Sequence, residues 1–489
     1  MLLRIKKHPI LDFTRKKKIP FYFNNKKLEG YEGDCIASAL HSNGVKVFSK
    51  SLKYDNPRGF FCGIGKCSSC LMRVEGVPNV RTCIAPLEEG IHVEMQDKLA
   101  DLPNAVFHET AKEKKNIDIL VIGAGPAGLC ASIEAVRQGA KVLLVDENLM
   151  VGGQLIKQTH KFFGSKHEKA GTRGINISKE LNEQVDEYKK ENKIDLLLNS
   201  TVIGYYENKG QKHKFAILKR NNYENTLVEV NCKAVILATG AMENMLLFPG
   251  NDLPGVYGAG AVQTLMNVFG VKPGKKVIMV GAGNVGLIVS YQLLQAGINV
   301  DRVVEAAPFI GGYHVHAAKL RRCGVPIQTS HSIKEVYGKD MVEGAVIVKL
   351  DENWQPVKGS EEKVECDTIC LAVGLTPSIK LLSQIGARIE LIAEAGGFVA
   401  IHDDFMQTTI KNVYVAGDSS GIEEASTAMI EGKIAGVAAA LKTGKIQKKE
   451  AQRSLTQFCN ELSRLRAGPF GEKPRIAKEK IESFWRKEQ

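Results

Sequence analysis

The pattern of apolar and polar positions changes character along the chain. Near the start, short apolar runs at Ile19–Phe23 and His92–Met95 predict strands and Cys35–Ser42 predicts a helix, with a loop rich in Gly and Cys between them. A polar stretch follows, from about Asp97 to Asn116, and ends in the run KEKKN, which reads as a linker. From Ile117 onward apolar runs alternate with amphipathic stretches, the pattern of strand–helix–strand units on a parallel sheet. Beyond Gly444 the chain is charged and helix-prone.

One internal repeat organises the long middle. Ile117–Glu147 reads IDILVIGAGPAGLCASIEAVRQGAKVLLVDE and Lys275–Glu305 reads KKVIMVGAGNVGLIVSYQLLQAGINVDRVVE. Each passes from an apolar strand into G-x-G-x-x-G, then a helix, then a second strand ending in an acid. Gly123 pairs with Gly281, Gly128 with Gly286 and Glu147 with Glu305, a constant offset of 158 (281 − 123). The first Gly of each motif allows the tight turn. Gly125 and Gly283 leave room for a pyrophosphate, and Gly128 and Gly286 let the helix pack on the sheet. The helix N-terminus, at Pro126–Ala127 or Asn284, then offers free N–H groups to phosphate. The acids Asp146 and Glu147 in one copy, and Glu305 in the other, can accept from ribose hydroxyls. Glu305 would repel a 2′-phosphate, and Ala306-Ala307-Pro308 brings no Arg to neutralise one. NAD is therefore preferred to NADP, although Arg321 and Arg322 lie further on.

Four cysteines carry different chemistry. Cys62, Cys67, Cys70 and Cys83 follow C-x₄-C-x₂-C-x₁₂-C, with three of them in the loop FCGIGKCSSC. Gly63 and Gly65 permit sharp turning there and aim backbone N–H groups at the sulfurs. Four thiolates satisfy two irons bridged by two sulfides, and the early spacing is that of plant-type [2Fe–2S] ferredoxins. Structural zinc is the alternative, but it usually takes two paired knuckles. Cys35 falls outside the pattern and reads as core. Cys130, Cys232, Cys323 and Cys459 are isolated, and Cys366 and Cys370 read as buried small hydrophobes.

Composition adds little. The chain has 489 residues, 44% apolar and 25% charged, with a formal charge of +12. Basic runs near both ends read as solvated surface or as a docking surface for an acidic partner. No nucleic-acid motif accompanies them. No apolar signal region or bilayer-length run is present, so the chain reads as cytoplasmic, with thiols reduced or ligating metal.

Further motifs carry a resemblance. Gly152-Gly153-Gln154 follows the first acid, Ile236–Gly240 reads ILATG, and Thr409 precedes Val413-Tyr414-Val415-Ala416-Gly417-Asp418. With the nested second glycine motif, these make residues from about Asn116 to Leu441 resemble the two-dinucleotide flavoproteins of the pyridine nucleotide-disulfide reductase superfamily. The resemblance implies FAD at Gly123, Gly125, Pro126, Ala127, Gly128, Asp146, Glu147, Gly153, Gln154, Val202, Ala238, Thr239, Gly240, Gly417 and Asp418. It implies NAD(H) at Gly281, Gly283, Asn284, Gly286 and Glu305. The flavin-adjacent cysteine pair of many such proteins is missing, which disfavours disulfide reduction. The expected fold is α/β, with two nested Rossmann-like dinucleotide-binding domains for FAD and NAD behind a small α+β ferredoxin-like [2Fe–2S] domain. The expected boundaries are a cluster domain at 1–100, a linker at 101–116, an FAD domain split over 117–258 and 371–441, an NAD domain at 259–370, and a basic helical tail at 442–489.

A ferredoxin-like segment ahead of such a flavoprotein resembles the α subunits of heteromeric amino-acid dehydrogenases and oxidases: sarcosine oxidase, opine oxidase, hydrogen cyanide synthase, and proline or hydroxyproline dehydrogenase. The segments 158–174 and 258–300 are especially like that group. The resemblance implies a partner β flavoprotein similar to D-amino-acid oxidase that oxidises the amine, with FMN between subunits in some members and a small additional electron-transfer subunit in others. The chain ends near residue 489 and its tail holds only Cys459. Neither the folate-binding half of sarcosine oxidase nor a second cluster is expected, and the short proline or hydroxyproline type is the best match. No catalytic acid–base pair is assignable. Two other readings stand beside this one: a self-sufficient NADH-dependent iron–sulfur reductase, and a non-catalytic subunit whose nucleotide sites are structural.

Overall fold

The computed structural model describes residues 2–97, 99, 110–162, 169–206, 212–221 and 224–488. The chain folds into two compact units. One joins Met1–Val106 to Glu243–Gly374, and the other joins Phe107–Met242 to Leu375–Gln489.

The N-terminal domain is a small mixed sheet with one helix. Its strands are β1 (Lys18–Phe23), β2 (Lys26–Tyr31), β3 (Leu71–Val74), β4 (Val77–Arg81) and β5 (His92–Glu94), in the order β2-β1-β5-β3-β4. Helix α1 (Ile36–Ser42) starts at Cys35, whose Sγ accepts from the Ser38 N–H, so Cys35 is a buried cap.

The first nucleotide lobe is built from β6 (Ala111–Ile122), α2 (Pro126–Arg137), β7 (Val142–Val145), α3 (Gly174–Lys190), β8 (Ile194–Leu197), β9 (Ser200–Tyr206), β10 (His213–Asn221) and β11 (Glu224–Leu237). The strands run β8-β7-β6-β11-β10-β9. The parallel members bury both faces, so the runs ILVI (119–122) and VLLV (142–145) are continuous rather than alternating. Residues 111–116, read as the end of a linker, are instead the outer half of β6. They pair in parallel with Thr226–Asn231, because the long β11 offers a free edge there. Lys112 and Lys114 stay exposed and half-exposed Lys115 pairs with Asp195, so the segment shows no apolar face. Residues 101–109 of that expected linker lie outside the described residues.

The second lobe holds β12 (Val256–Gly258), α4 (Ala259–Gln263), β13 (Lys276–Val280), α5 (Asn284–Gln295), β14 (Asn299–Glu305), α6 (His314–Arg322), β15 (Ile327–Thr329) and β16 (Thr368–Leu371). They form the parallel sheet β12-β16-β13-β14-β15. The boundary expected after residue 258 is therefore too late: Val256–Gly258 pairs with Ile369–Leu371 inside this lobe, and the unit itself begins at Glu243. The N-terminal domain belongs to the same unit. Ile5 N–H donates to Gly270 O (2.8 Å), Lys272 N–H to Leu3 O (2.7 Å) and Gly258 N–H to Phe61 O (3.1 Å). Arg4, buried beside Asp34, also donates to Phe269 O at 2.8 Å.

The chain returns to the first lobe at β17 (Val413–Val415), which pairs with β11, and enters α7 (Ala425–Lys442). Helix α7 crosses α2 backbone to backbone: a Cβ on Gly432 would lie 2.1 Å from Ala127 O and one on Gly436 2.6 Å from Ala131 O. The tail forms α8 (Lys448–Leu465) and α9 (Glu472–Arg486), both amphipathic. Ala451, Leu455 and Leu462 pack into the lobe's core, and Ala477 and Ile481 pack beside Ile392 and Val399. Among the described residues, no helix is long and apolar enough to cross a membrane.

Candidate cofactor sites

The four cysteines of the C-x₄-C-x₂-C-x₁₂-C pattern come together. Cys62, Cys70 and Cys83 are buried and Cys67 is half-buried. The thiols meet in pairs: Cys62 reaches Cys67 and Cys83, and Cys70 reaches Cys83. Hydrogen bonds from the Cys67 and Cys83 thiols, then backbone N–H groups, pull the Cys62 thiol well down, while the same pairing pushes Cys67 up. Gly65 N–H points at Cys83 Sγ (3.2 Å), Lys66 N–H at Cys62 Sγ (3.4 Å) and Ser69 N–H at Cys67 Sγ (3.5 Å). Gly63, Gly65 and Ser68 hold positive φ (64°, 70° and 61°), which folds the loop back on itself. A shell of N–H donors around four sulfurs suits anionic thiolates on a two-iron cluster.

In the first lobe, α2 starts at Gly125 with no side-chain cap, leaving its first N–H groups to a ligand. A Cβ on Gly123 would sit 2.2 Å from Ala238 O, and one on Gly128 1.8 Å from Gly123 O, so both glycines serve packing. A Cβ on Gly125 would meet only Gly153 Cα, at 3.9 Å. That open face is the space a pyrophosphate needs. Asp146 is buried at the end of β7. Its carboxylate accepts from Ala124 N–H (2.6 Å) and Asn148 N–H (2.8 Å), and burial raises its pKa. Glu147 is half-buried beside it and Gln154 is exposed. Val202 sits half-buried at the bulge of β9, and Thr239 Oγ donates to Ser378 O at 2.8 Å. Gly417 (φ 71°) brings the second motif over α2, since its Cβ would lie 2.9 Å from the Ala127 Cβ. Asp418 follows, pushed up to about 7 by burial first and then by Glu431 and Glu423. Gly123 meets Ala238, Gly125 faces Gly153, Gly417 meets Ala127 and Asp146 holds Ala124, so these converge on one end of the lobe's sheet, whereas Val202 lies in the edge strand β9.

The second lobe repeats the geometry. A Cβ on Gly281 would lie 2.3 Å from Ala372 O and one on Gly286 2.0 Å from Gly281 O, whereas Gly283 has nothing within 4 Å. Helix α5 again starts at an uncapped Gly, here Gly283. Glu305 accepts from Ala282 N–H (2.6 Å) and Ala307 N–H (3.0 Å). This corrects the pairing of Glu305 with Glu147. The residue that holds the glycine loop in the first copy is Asp146, an offset of 159 (305 − 146). The extra residue enters as an irregularity in β14, where Val277 pairs with Val300 but Ile278 with Arg302. The offset then grows by one more residue, to 160 (312 − 152): Gly152 N–H donates to Ala124 O (2.8 Å) and Gly312 N–H to Ala282 O (2.9 Å). Gly312 is thus the counterpart of Gly152, which the constant offset of 158 concealed. Asn284 does not point at the loop mouth alone, since its Oδ1 accepts from Tyr313 N–H at 2.8 Å.

Arg173, the cation the sequence offers for a substrate carboxylate, donates to Thr159 O. Cys366 and Cys370 are buried, as expected of small hydrophobes.

Comparison with known proteins agrees with this architecture. Residues 117–432 match the pyridine nucleotide-disulphide oxidoreductase family, which implies FAD, and residues 16–98 match the 2Fe-2S iron-sulfur cluster binding domain. The chain is 27% identical to the alpha subunit of sarcosine oxidase from Rhizobium meliloti, covering 88% of this chain and 46% of that one. It is 30% identical to the corresponding component of opine oxidase from Agrobacterium tumefaciens, covering 66% and 65%. The chain thus spans about half the length of the sarcosine oxidase relatives it matches. Among solved structures, L-proline dehydrogenase from P. horikoshii superposes with a TM-score of 0.69 at 25% identity, over 92% of this chain and 79% of that one. Thioredoxin reductase from T. acidophilum shares the fold alone, with a TM-score of 0.53 at 19% identity over 67% of this chain and 98% of that one.

Proposed function

Because this chain belongs to the pyridine nucleotide-disulphide oxidoreductase family, with a [2Fe–2S] domain ahead of the flavoprotein fold, we propose that it is the electron-transferring subunit of a heteromeric flavin-dependent dehydrogenase. The substrate class is a secondary-amine amino acid of the proline, hydroxyproline or sarcosine type. Bound flavin and cluster would supply the electron-carrying chemistry. Gly123, Gly125, Gly128, Asp146, Gly153, Ala238–Gly240, Gly417 and Asp418 would hold FAD. Cys62, Cys67, Cys70 and Cys83 would hold the cluster. Gly281, Gly283, Gly286 and Glu305 would hold NAD(H), with Glu305 disfavouring a 2′-phosphate. Eleven free thiols suit a reducing compartment such as the cytoplasm.

The observation that carries the reading is a four-thiol cluster site on a chain with two open glycine cradles and no flavin-adjacent cysteine pair. Amine oxidation by hydride transfer needs the Cα–H held against a flavin, with the carboxylate clamped by a cation. Arg173 is committed to a backbone carbonyl. The amine site is therefore assigned to a partner flavoprotein resembling D-amino-acid oxidase, with FMN at the shared interface as a further cofactor. The test is amine-dependent dye reduction by the isolated chain and by its complex isolated from the host. Turnover should need the complex. Substantial proline, hydroxyproline or sarcosine turnover by the isolated chain would move the substrate site into this subunit. Fast dye reduction by the isolated chain with NADH alone would favour a self-sufficient reductase.

A further inference from the structure

The C-terminal helices insert two cations beside the second flavin motif. Arg466, at the end of α8, donates to Glu423 (3.0 and 2.6 Å) and to Glu431 Oε1 (2.6 Å). Lys478, in α9, reaches Glu431 Oε1 (2.8 Å), Ser420 O (3.0 Å) and Ser420 Oγ (2.8 Å). All four ionic side chains are nearly out of solvent, with exposures of 14% for Arg466, 13% for Lys478, 7% for Glu423 and 2% for Glu431. The other oxygen of Glu431 accepts from Gly417 N–H (2.9 Å) and Ser420 Oγ (2.7 Å). The tail therefore grips the loop Gly417–Ser420 through one buried carboxylate. Both cations lie beyond residue 432, where the family match ends.

We propose that Arg466 and Lys478 are positioning residues for the flavin, holding the Gly417–Asp418 loop in shape and setting the charge beside it. This rests on the reading that the loop holds FAD. Two acids and two bases balance in a poorly solvated place, where a lost charge is not screened. Removing Lys478 leaves Glu423 and Glu431 to share Arg466. The surplus negative charge disfavours adding electrons to a nearby flavin and frees the Ser420 oxygens. The Glu423 carboxylate pairs with Arg466, while its backbone N–H donates to Asp418, so neutralising the side chain changes the charge in the opposite sense with that backbone contact kept.

The experiment uses the purified full-length chain, with FAD content after dialysis, visible circular dichroism of the flavin, flavin midpoint potential and iron content as readouts. Lys478→Met should lose FAD on dialysis, with an apparent Kd raised about tenfold, alter the flavin dichroism and move the midpoint negative, with iron unchanged. Lys478→Arg should restore most of the dichroism and potential. Glu423→Gln should move the midpoint positive, which decides the matter should Lys478→Met fold poorly. Lys480→Met, on the same helix as Lys478, which breaks the more exposed pair of Lys480 with Glu394 of the Ala393–Ala395 turn, should leave every readout as in the wild type. The proposal is overturned if Lys478→Met and Glu423→Gln leave dichroism and potential unchanged, or if both move the potential the same way. Asp418→Asn separates the two readings. If it leaves flavin retention and dichroism intact, the loop is not the flavin site and the proposal falls with it. If it perturbs them while Lys478→Met does not, only the positioning role fails.

Discussion

Gly283 and Gly286 stand three residues apart in the second glycine motif, and the structure gives them opposite jobs. A Cβ on Gly286 would lie 2.0 Å from Gly281 O and 3.3 Å from the Ala372 Cβ, so helix α5 must move more than an ångström away from its sheet. Overpacking of that kind costs about 1–3 kcal/mol. Gly283 has φ −72° and ψ 177°, open to any residue, and nothing within 4 Å of its added Cβ. Gly283→Ala should therefore change folding stability by no more than about 0.5–1 kcal/mol, since lost unfolded-state entropy offsets a poorer cap. It should nevertheless place a methyl where the pyrophosphate meets the backbone. The assay pairs thermal unfolding without nucleotide against NADH titration by fluorescence, with iron content reporting that the cluster domain is intact. Gly286→Ala should lower the melting temperature by about 2–12 °C, taking roughly 2–4 °C per kcal/mol for a unit of this size. Gly283→Ala should melt like the wild type and bind NADH at least about tenfold more weakly, a loss of about 1.4 kcal/mol. Wild-type NADH affinity in Gly283→Ala would show that no dinucleotide lies across this loop. A large stability loss in that variant would show that the face beside Gly283 is not open.

Three further outcomes are expected. Cys67→Ser should remove the cluster, about two irons and two sulfides per chain, while FAD stays bound; stoichiometric zinc without iron in the wild type would reject the cluster. Glu305→Ala should weaken NAD(H) and relax discrimination against NADP(H), whereas Glu305→Gln, which can still accept from Ala282 N–H, should keep more of the affinity; tighter NADPH than NADH binding by the wild type would contradict this. Burial holds both His41 and His402 down to about 3 from 6.5, so each stays neutral when folded but protonates on unfolding. The unfolded chain then binds more protons between pH 6.5 and about 3. Stability should fall as pH drops through that window, by about 1.4 kcal/mol per pH unit for each histidine. His402→Gln should flatten the slope measured by urea unfolding, and an unchanged slope would reject its part.

Chemistry tied to short-range backbone geometry was legible in the chain. The spacing of Cys62, Cys67, Cys70 and Cys83, and the two G-x-G-x-x-G turns, follow from what a four-thiolate loop and a βα phosphate turn require of neighbouring residues. Apolar runs gave the buried parallel strands for the same reason: a strand covered on both faces needs no alternation. What tertiary structure decided were features with no local signal. The Lys-rich residues 111–116 became strand because β11 supplies a ladder partner far along the chain. The acid matching Glu305 is Asp146, because an irregularity in β14 shifts the register by one and only the hydrogen bonds to Ala124 and Ala282 reveal it. Arg466 and Lys478 read as part of a solvated basic tail, since a charge on an amphipathic helix looks alike whether it meets water or a buried carboxylate. Packing of α8 and α9 against the first lobe brings Glu431 within reach, and that proximity is a property of the fold rather than of any stretch of sequence.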